Sequence, residues 1–143
     1  MIILDTNVVS ALMRDPPDPA IIAWLDRQPP TLLWVTAITV LENRFGIARM
    51  PAGRRRDALA EAFERVIADD LEGRVLAFDS AAAEPTAALM ARRQAEGRAG
   101  ELRDSMIAGI ALARRATLAT RNVKHFDDAG LDIVDPWKAS LSQ

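Results

Sequence analysis

The chain carries 143 residues, half of them hydrophobic, with 18 Lys and Arg against 20 Asp and Glu for a formal net charge of −2. That length suits a single α/β domain over residues 1–143 with a sizeable core, while the lack of cysteine excludes a disulfide scaffold, a thiolate zinc site and a cysteine nucleophile, and the single His125 argues against an imidazole metal cluster. No stretch approaches the roughly 18 apolar residues of a membrane span and the amino terminus lacks the basic flank of a signal peptide, so a cytoplasmic protein with no membrane partner is expected.

The first strand is expected over Met1 to Leu4, an apolar run that delivers Asp5, Thr6 and Asn7 to its carboxyl end. Ile21, Ile22, Trp24 and Leu25 predict a helix after Pro19, a residue favoured at the first helical position. A second strand follows over Leu32 to Thr36. Val40, Leu41, Phe45 and Ile47 then mark a helix begun near Thr36 or Thr39. After the Pro51-Ala52-Gly53 break, Leu59, Phe63, Val66 and Ile67 form an amphipathic stripe, its other face carrying Arg54 to Arg56, Asp57, Glu61, Glu64 and Arg65. Arg74 to Phe78 predicts a third strand. Asp79 suits the N-cap of a helix running towards Gln94, but Pro85 inside it predicts a late start or a kink. Past the Gly97 to Gly100 loop, Met106, Ile107, Ile110, Ala111 and Ala113 define a strongly apolar helix. Thr117 to Thr120 and Asp132 to Val134 complete five short strands. Strands alternating with helices predict βαβ units around a mainly parallel sheet.

Four polar positions fall at comparable places in this layout. Asp5 ends the first strand, Glu42 lies on the helix after the second, Asp104 begins the apolar helix, and Asn122 follows the fourth strand. A parallel sheet brings all strand carboxyl ends to one edge, so these groups can converge although they are distant in sequence. Convergent carboxylates repel unless a cation lies between them, and an oxygen-rich set with few protein ligands suits Mg²⁺ or Mn²⁺. The small net acidity does not exclude nucleic acid, because such a cation inverts the local potential and the basic residues are mostly arginine, suited to planar contacts with phosphate. Taken singly, Asp104 also suits a helix-dipole role, Glu42 an exposed helix position and Asn122 a turn.

The ordered set Ile2-Ile3-Leu4-Asp5-Thr6-Asn7-Val8-Val9-Ser10, Ala37-Ile38-Thr39-Val40 with Glu42, Gly46-Ile47-Ala48-Arg49 with Pro51 and Gly53-Arg54-Arg55-Arg56, Leu118-Ala119-Thr120-Arg121-Asn122, and Asp135-Pro136-Trp137 resembles the PIN-domain ribonucleases. Within them it is similar to the VapC toxins of type II toxin–antitoxin pairs, in the FitB-like subgroup. The resemblance covers nearly the whole chain. It implies a three-layer α/β/α fold, a Mg²⁺- or Mn²⁺-dependent endoribonuclease, dimerisation, and inhibition by a small antitoxin. Carried over by position, Asp5, Glu42 and Asp104 match the acidic core that holds metal, Asn122 falls where relatives have Asp or Asn, and Thr6, Asn7 and Thr120 match supporting polar positions. Three departures stand out. Asn43 and Arg44 replace apolar or small residues, His125 stands where an acid often precedes the phenylalanine, and Arg103-Asp104-Ser105 replaces a small residue followed by Asp-Ala.

The expected reaction is hydrolysis of RNA phosphodiesters, with Arg103, Arg121 and Lys124 as phosphate contacts. Two other readings compete. A haloacid-dehalogenase-like phosphatase also begins with a strand ending in Asp but needs a second Asp where Asn7 stands, and a catalytically silent PIN-fold module would only grip a partner. The Asp104 to Ala113 helix, the Ile21 to Leu25 cluster and the Leu59 to Ile67 stripe together offer more apolar surface than one sheet obviously covers, which with the resemblance predicts a homodimer.

Overall fold

The computed structural model describes residues 1–98 and 100–141, with side chains described to residue 139; Ala99 of the expected glycine-flanked loop lies outside them. In chain order the elements are β1 (Ile2–Leu4), α1 (Thr6–Leu12), α2 (Pro19–Asp26), β2 (Leu33–Thr36), α3 (Ala37–Ala48), α4 (Arg54–Arg65), β3 (Val75–Leu76), α5 (Ser80–Ala95), α6 (Leu102–Arg114), β4 (Thr117–Ala119), β5 (Asp132–Val134) and α7 (Pro136–Leu141). The strands form one five-stranded sheet in the order β3-β2-β1-β4-β5, and every pairing is parallel.

Side chains alternate across this sheet with the period of two that strand geometry imposes. Ile3, Trp34, Leu76, Leu118 and Ile133 face one core, with Leu89, Ile107 and Ile110 of α5 and α6. Leu4, Leu33, Val35, Ala119 and Val134 face the other, with Val8, Ile21, Trp24 and Phe63 of α1, α2 and α4. Helices thus cover both faces, giving the three-layer α/β/α arrangement.

The structure refines several sequence expectations. The third strand is shorter than expected, Val75–Leu76; Arg74 O still accepts from Val35 N at 3.1 Å and its guanidinium reaches the carbonyls of Leu33 and Pro30 (2.8 and 2.7 Å), and beyond Leu76 the chain leaves the sheet for the N-cap at Asp79. Pro85 does not delay α5, which starts at Ser80 with the Asp79 carboxylate accepting from Ala82 N. The carbonyl that proline leaves without an amide partner belongs to Ala81, an exposed residue, so water can hydrate it. Residues 6–12, which carry no clear periodicity, form a helix because Asp5 caps it and Val8, Val9 and Ala11 enter the core. The apolar surplus is mostly core as well. Ile107, Ile110, Ile21, Trp24, Phe63 and Val66 are all buried, and Leu59 and Ile67 pack against them. Large exposed apolar side chains include Leu41 and Phe45, one turn apart on α3, together with Leu102 at the start of α6, Met90 on α5 and Ile22 on α2.

The α5–α6 contact fixes where Asp104 sits, and it depends on Gly109. A Cβ there would strike the Thr86 hydroxyl and approach the Ala82 carbonyl oxygen to 2.8 Å. That hydroxyl is already committed, donating to the same carbonyl at 2.7 Å. Gly109→Ala should therefore lower unfolding stability by about 1–3 kcal/mol despite the better helix propensity of alanine, as measured by urea denaturation. Adding Thr86→Ala should restore part of the loss, because the carbonyl contact remains.

Candidate active site

The strand order reverses at β1, with β2 on one side and β4 on the other, so a crevice opens between the carboxyl ends of β1 and β4. Asp5 stands at this switch point, only 4% exposed. Its amide donates to Ala119 O at 2.9 Å, continuing the β1–β4 pairing for one more residue. Such deep burial of a carboxylate demands hydrogen bonds. Oδ1 accepts from Thr6 N at 2.9 Å, and Oδ2 accepts from the Thr120 hydroxyl at 2.7 Å and the Asn7 amide at 3.3 Å. Asn7 also donates to Thr120 Oγ1 and accepts from Arg121 N, while Thr120 Oγ1 accepts from Asn122 N. The polar residues on both sides of the crevice thus form one network around Asp5.

Glu42 joins it through Thr6, whose hydroxyl donates to Oε1 at 2.7 Å and lies 3.2 Å from the hydroxyl of Thr39. Thr39 itself is buried on α3, a helix capped by Thr36 at the end of β2. Asp104, in the first turn of α6, turns its Oδ2 to His125 Nδ1 at 3.1 Å. Arg103 is held by Glu101 at 2.9 Å and lies 3.9 Å from Glu42 Oε2, so its charge is largely engaged by acids. Lys124 and Asn122 are exposed on the rim, and Arg121 stacks on Trp137. A cleft of about 170 Å³ opens beside Asp104, lined also by Lys124, His125, Glu101 and Arg98.

Electrostatics tie these groups together. Burial pushes the Asp5 carboxyl above its ordinary range against the pull of the Thr120 and Thr6 hydrogen bonds, and the charge of Asp104 pushes it further. Asp104 is raised too, first by burial, with Glu101 and Glu42 adding to the shift and His125 opposing it. Asp5 thus feels Asp104, and Asp104 feels Glu101 and Glu42, as like charges that His125 offsets only in part. Among the described residues, no three Asp, Glu or His side chains are grouped closely enough to cage a cation unaided. Each carboxylate is instead turned to a neutral or cationic neighbour: Asp5 to Thr120, Glu42 to Thr6, Asp104 to His125. Mg²⁺ is commonly held by one or two carboxylates and retained waters, and the carboxylate oxygens of Asp5, Glu42 and Asp104 are of the kind that could hold such an ion.

Two features of this site were not evident from sequence. His125 stands as the neighbour of Asp104 rather than merely as a missing acid. Arg93, which as a helix arginine would be assigned to the surface, is 3% exposed. Its Nε and Nη2 grip both carboxylate oxygens of Asp128 at 2.9 and 2.8 Å, Nη2 also donates to His125 O, and Nη1 donates to Ser105 Oγ. The Asp128 carboxyl is accordingly held below its usual range, first by this hydrogen bonding. Ser105, in place of the small apolar residue, was the one hint of a buried polar partner. Of the other departures, Asn43 is buried and donates to Thr39 O at 3.0 Å, and Arg44 pairs with Glu64 on the surface at 2.7 Å.

The PIN domain family matches residues 2–131. The chain is 45% identical over 138 residues to the VapC ribonuclease Y4jK of Sinorhizobium fredii, covering 96% of this chain and 99% of that one. It is 34% identical over 137 residues to the toxin FitB of Neisseria gonorrhoeae, covering 96% and 99%. The crystal structure of FitAcB from Neisseria gonorrhoeae superposes with a TM-score of 0.85 at 34% identity, covering 96% of this chain and 99% of that chain.

The raised Asp104 carboxyl gives a pH prediction. Between the unfolded value of 3.8 and its higher folded value, the native state binds more protons than the unfolded one, so this group's contribution to stability falls as pH rises through that window and stays unfavourable at neutral pH. Asp104→Asn should therefore melt at a higher temperature than the parent at pH 7 without added divalent metal. The gain should fade as pH drops below about 4, where the parent carboxyl is neutral in both states.

Proposed function

This chain belongs to the PIN-domain family, and from that premise we propose that it is the ribonuclease toxin of a toxin–antitoxin pair, hydrolysing RNA phosphodiesters at the acidic edge of its sheet with Mg²⁺ or Mn²⁺. The observation that carries this reading is the placement of Asp5 and Asp104, two carboxylates distant in sequence and each raised by burial and by neighbouring negative charge, at the switch point of a parallel sheet. The partners are RNA, a small antitoxin and a second copy of the chain. Leu41 and Phe45, both 55% exposed, offer the dimer an apolar surface. Among the described residues, no helix is long and apolar enough to cross a membrane.

In this reading Asp5 and Asp104 would hold the metal, and Glu42 would contact it directly or through water. When bound, the ion supplies Lewis acidity towards a phosphate oxygen and lowers the pKa of a water molecule it holds. Thr120 and Asn7 fix the Asp5 carboxylate by hydrogen bonding the oxygen that faces β4. Thr6 holds Glu42 Oε1 at 2.7 Å, and Oε2, 3.9 Å from Arg103, is the oxygen that would accept from the attacking water and orient it. His125 sets the direction of the Asp104 carboxylate. Asn122 offers a neutral contact at the rim, Lys124 and Arg121, both in the segment after β4, take backbone phosphates, and Arg103 screens Glu42 from the incoming RNA charge. The phosphatase alternative loses support because Asn7, in the place of its second acid, is committed as a hydrogen-bond partner of Asp5.

The test is cleavage of single-stranded RNA by purified protein with and without Mg²⁺ or Mn²⁺. Parent protein should cut only with metal, and Asp5→Asn or Asp104→Asn should abolish cutting while remaining folded by circular dichroism. Thr120→Val, which keeps the shape and removes the hydroxyl supporting Asp5, should lower the rate roughly 10–100-fold. Metal-independent cutting, or full activity in either Asn variant, contradicts the assignment.

A further inference from the structure

The Asp135-Pro136-Trp137 motif has no part in the acidic network, yet it ends beside it. Asp135 Oδ1 accepts from Trp137 N at 3.0 Å, and the indole N–H donates to Asp18 Oδ2 at 3.0 Å. Asp18 is itself fixed, capping α2 through Oδ1 and Ala20 N. The indole is therefore anchored at its backbone and at its polar edge. On its face lies Arg121, with the guanidinium carbon 3.7 Å from the ring centroid. Arg44 and Arg49 make looser aromatic contacts at 5.2 and 5.6 Å. Arg44 is committed to Glu64, whereas Arg121 is exposed and its guanidinium pairs with no acid among the described residues. The backbone of Arg121 is tied to the site, since its N–H donates to Asn7 Oδ1 and the Asn7 amide reaches Asp5 Oδ2.

A guanidinium whose carbon sits 3.7 Å over an indole and whose residue is exposed leaves its outer side and its N–H groups open to solvent. Unpaired RNA bases stack on such planes, and the fork of N–H donors matches phosphate oxygens. Little side-chain freedom remains to be lost when RNA arrives, because the stack is already formed. We infer that Arg121, laid on Trp137, forms a subsite for one unpaired nucleotide of the RNA beside the cleaved bond, stacking its base and taking its phosphate. The inference rests on the ribonuclease reading and deepens it. It makes the substrate single-stranded at that position and gives Trp137 the role of a positioning residue.

The experiment measures binding of full-length Asp5→Asn protein to a labelled, mixed-sequence pool of single-stranded oligoribonucleotides and to an abasic oligomer of the same length, with and without Arg121→Gln or Arg121→Lys. In the Asp5→Asn reference, base removal should weaken binding roughly ten-fold or more. In the Arg121→Gln background the intact RNA should bind more weakly and base removal should cost clearly less than in the reference, because the two changes remove the same contact. Arg121→Gln should also flatten the slope of log affinity against log salt by about 0.7, one phosphate contact on a single strand, while Arg121→Lys should retain the slope and lose base dependence. Equal costs of base removal in the reference and in Arg121→Gln overturn the subsite and leave the nuclease standing. Failure of the reference to bind RNA, together with failure of the parent to cut it, overturns the nuclease and the subsite with it.

Discussion

The structure is organised around a carboxylate taken out of water. Asp5 ends the strand at which the sheet reverses its order, and it is almost wholly buried there. Such a group is costly unless hydrogen bonds and opposite charge meet it. Hydrogen bonds come from both flanks: Thr6 and Asn7 follow it on α1, and Thr120 reaches across from β4. They do not cancel the cost, since the carboxyl remains raised. The remaining demand is for positive charge, and no side chain of this chain forms an ion pair with Asp5 among the described residues.

Rigidity at the opposite wall of the crevice comes from a second set of contacts. Asp104 lies at the start of α6, whose close approach to α5 depends on Gly109. Arg93, also on α5, reaches Ser105 beside Asp104 and the carbonyl of His125, with Asp128 satisfying its charge. The result ties the loop after β4 to the helix that presents Asp104. A buried pair of this kind lends little net stability but is costly to break from one side, which suits a part whose task is to fix a position. Positioning within tenths of an ångström matters for phosphoryl chemistry, where the protein contributes mainly orientation and electrostatics.

Much of this was legible in the sequence. Short apolar runs at Met1 to Leu4, Leu32 to Thr36, Thr117 to Thr120 and Asp132 to Val134 announce strands, formed over Ile2–Leu4, Leu33–Thr36, Thr117–Ala119 and Asp132–Val134, because a parallel sheet covered on both faces has few polar positions to spare. The positions of Asp5 after a strand, of Asp104 in the first turn of a helix and of Glu42 on the helix after the second strand followed from the same layout. The helix at Thr6–Leu12 was not, because adjacent Val8 and Val9 follow neither period and only the Asp5 cap and tertiary burial decide its form. Pro85 misled because its effect depends on whether the Ala81 carbonyl faces water. Arg93 left almost no local signal, since burial of an arginine is a property of its distant partners. His125 and Ser105 were visible as departures from the family pattern, but their connection through Arg93 exists only in three dimensions. The same holds for Arg121 and Trp137, separated in sequence and stacked in space.

The central claim is that Asp5 and Asp104 form the cation site towards which the network is built. Titration of the apo protein with Mn²⁺, followed by the loss of free-ion electron paramagnetic resonance signal, tests it without any substrate. The account predicts that the parent takes up Mn²⁺ at this site, that Mg²⁺ displaces it, and that Asp5→Asn and Asp104→Asn each lose the uptake while folded. Equal Mn²⁺ uptake by the parent and both variants would contradict it.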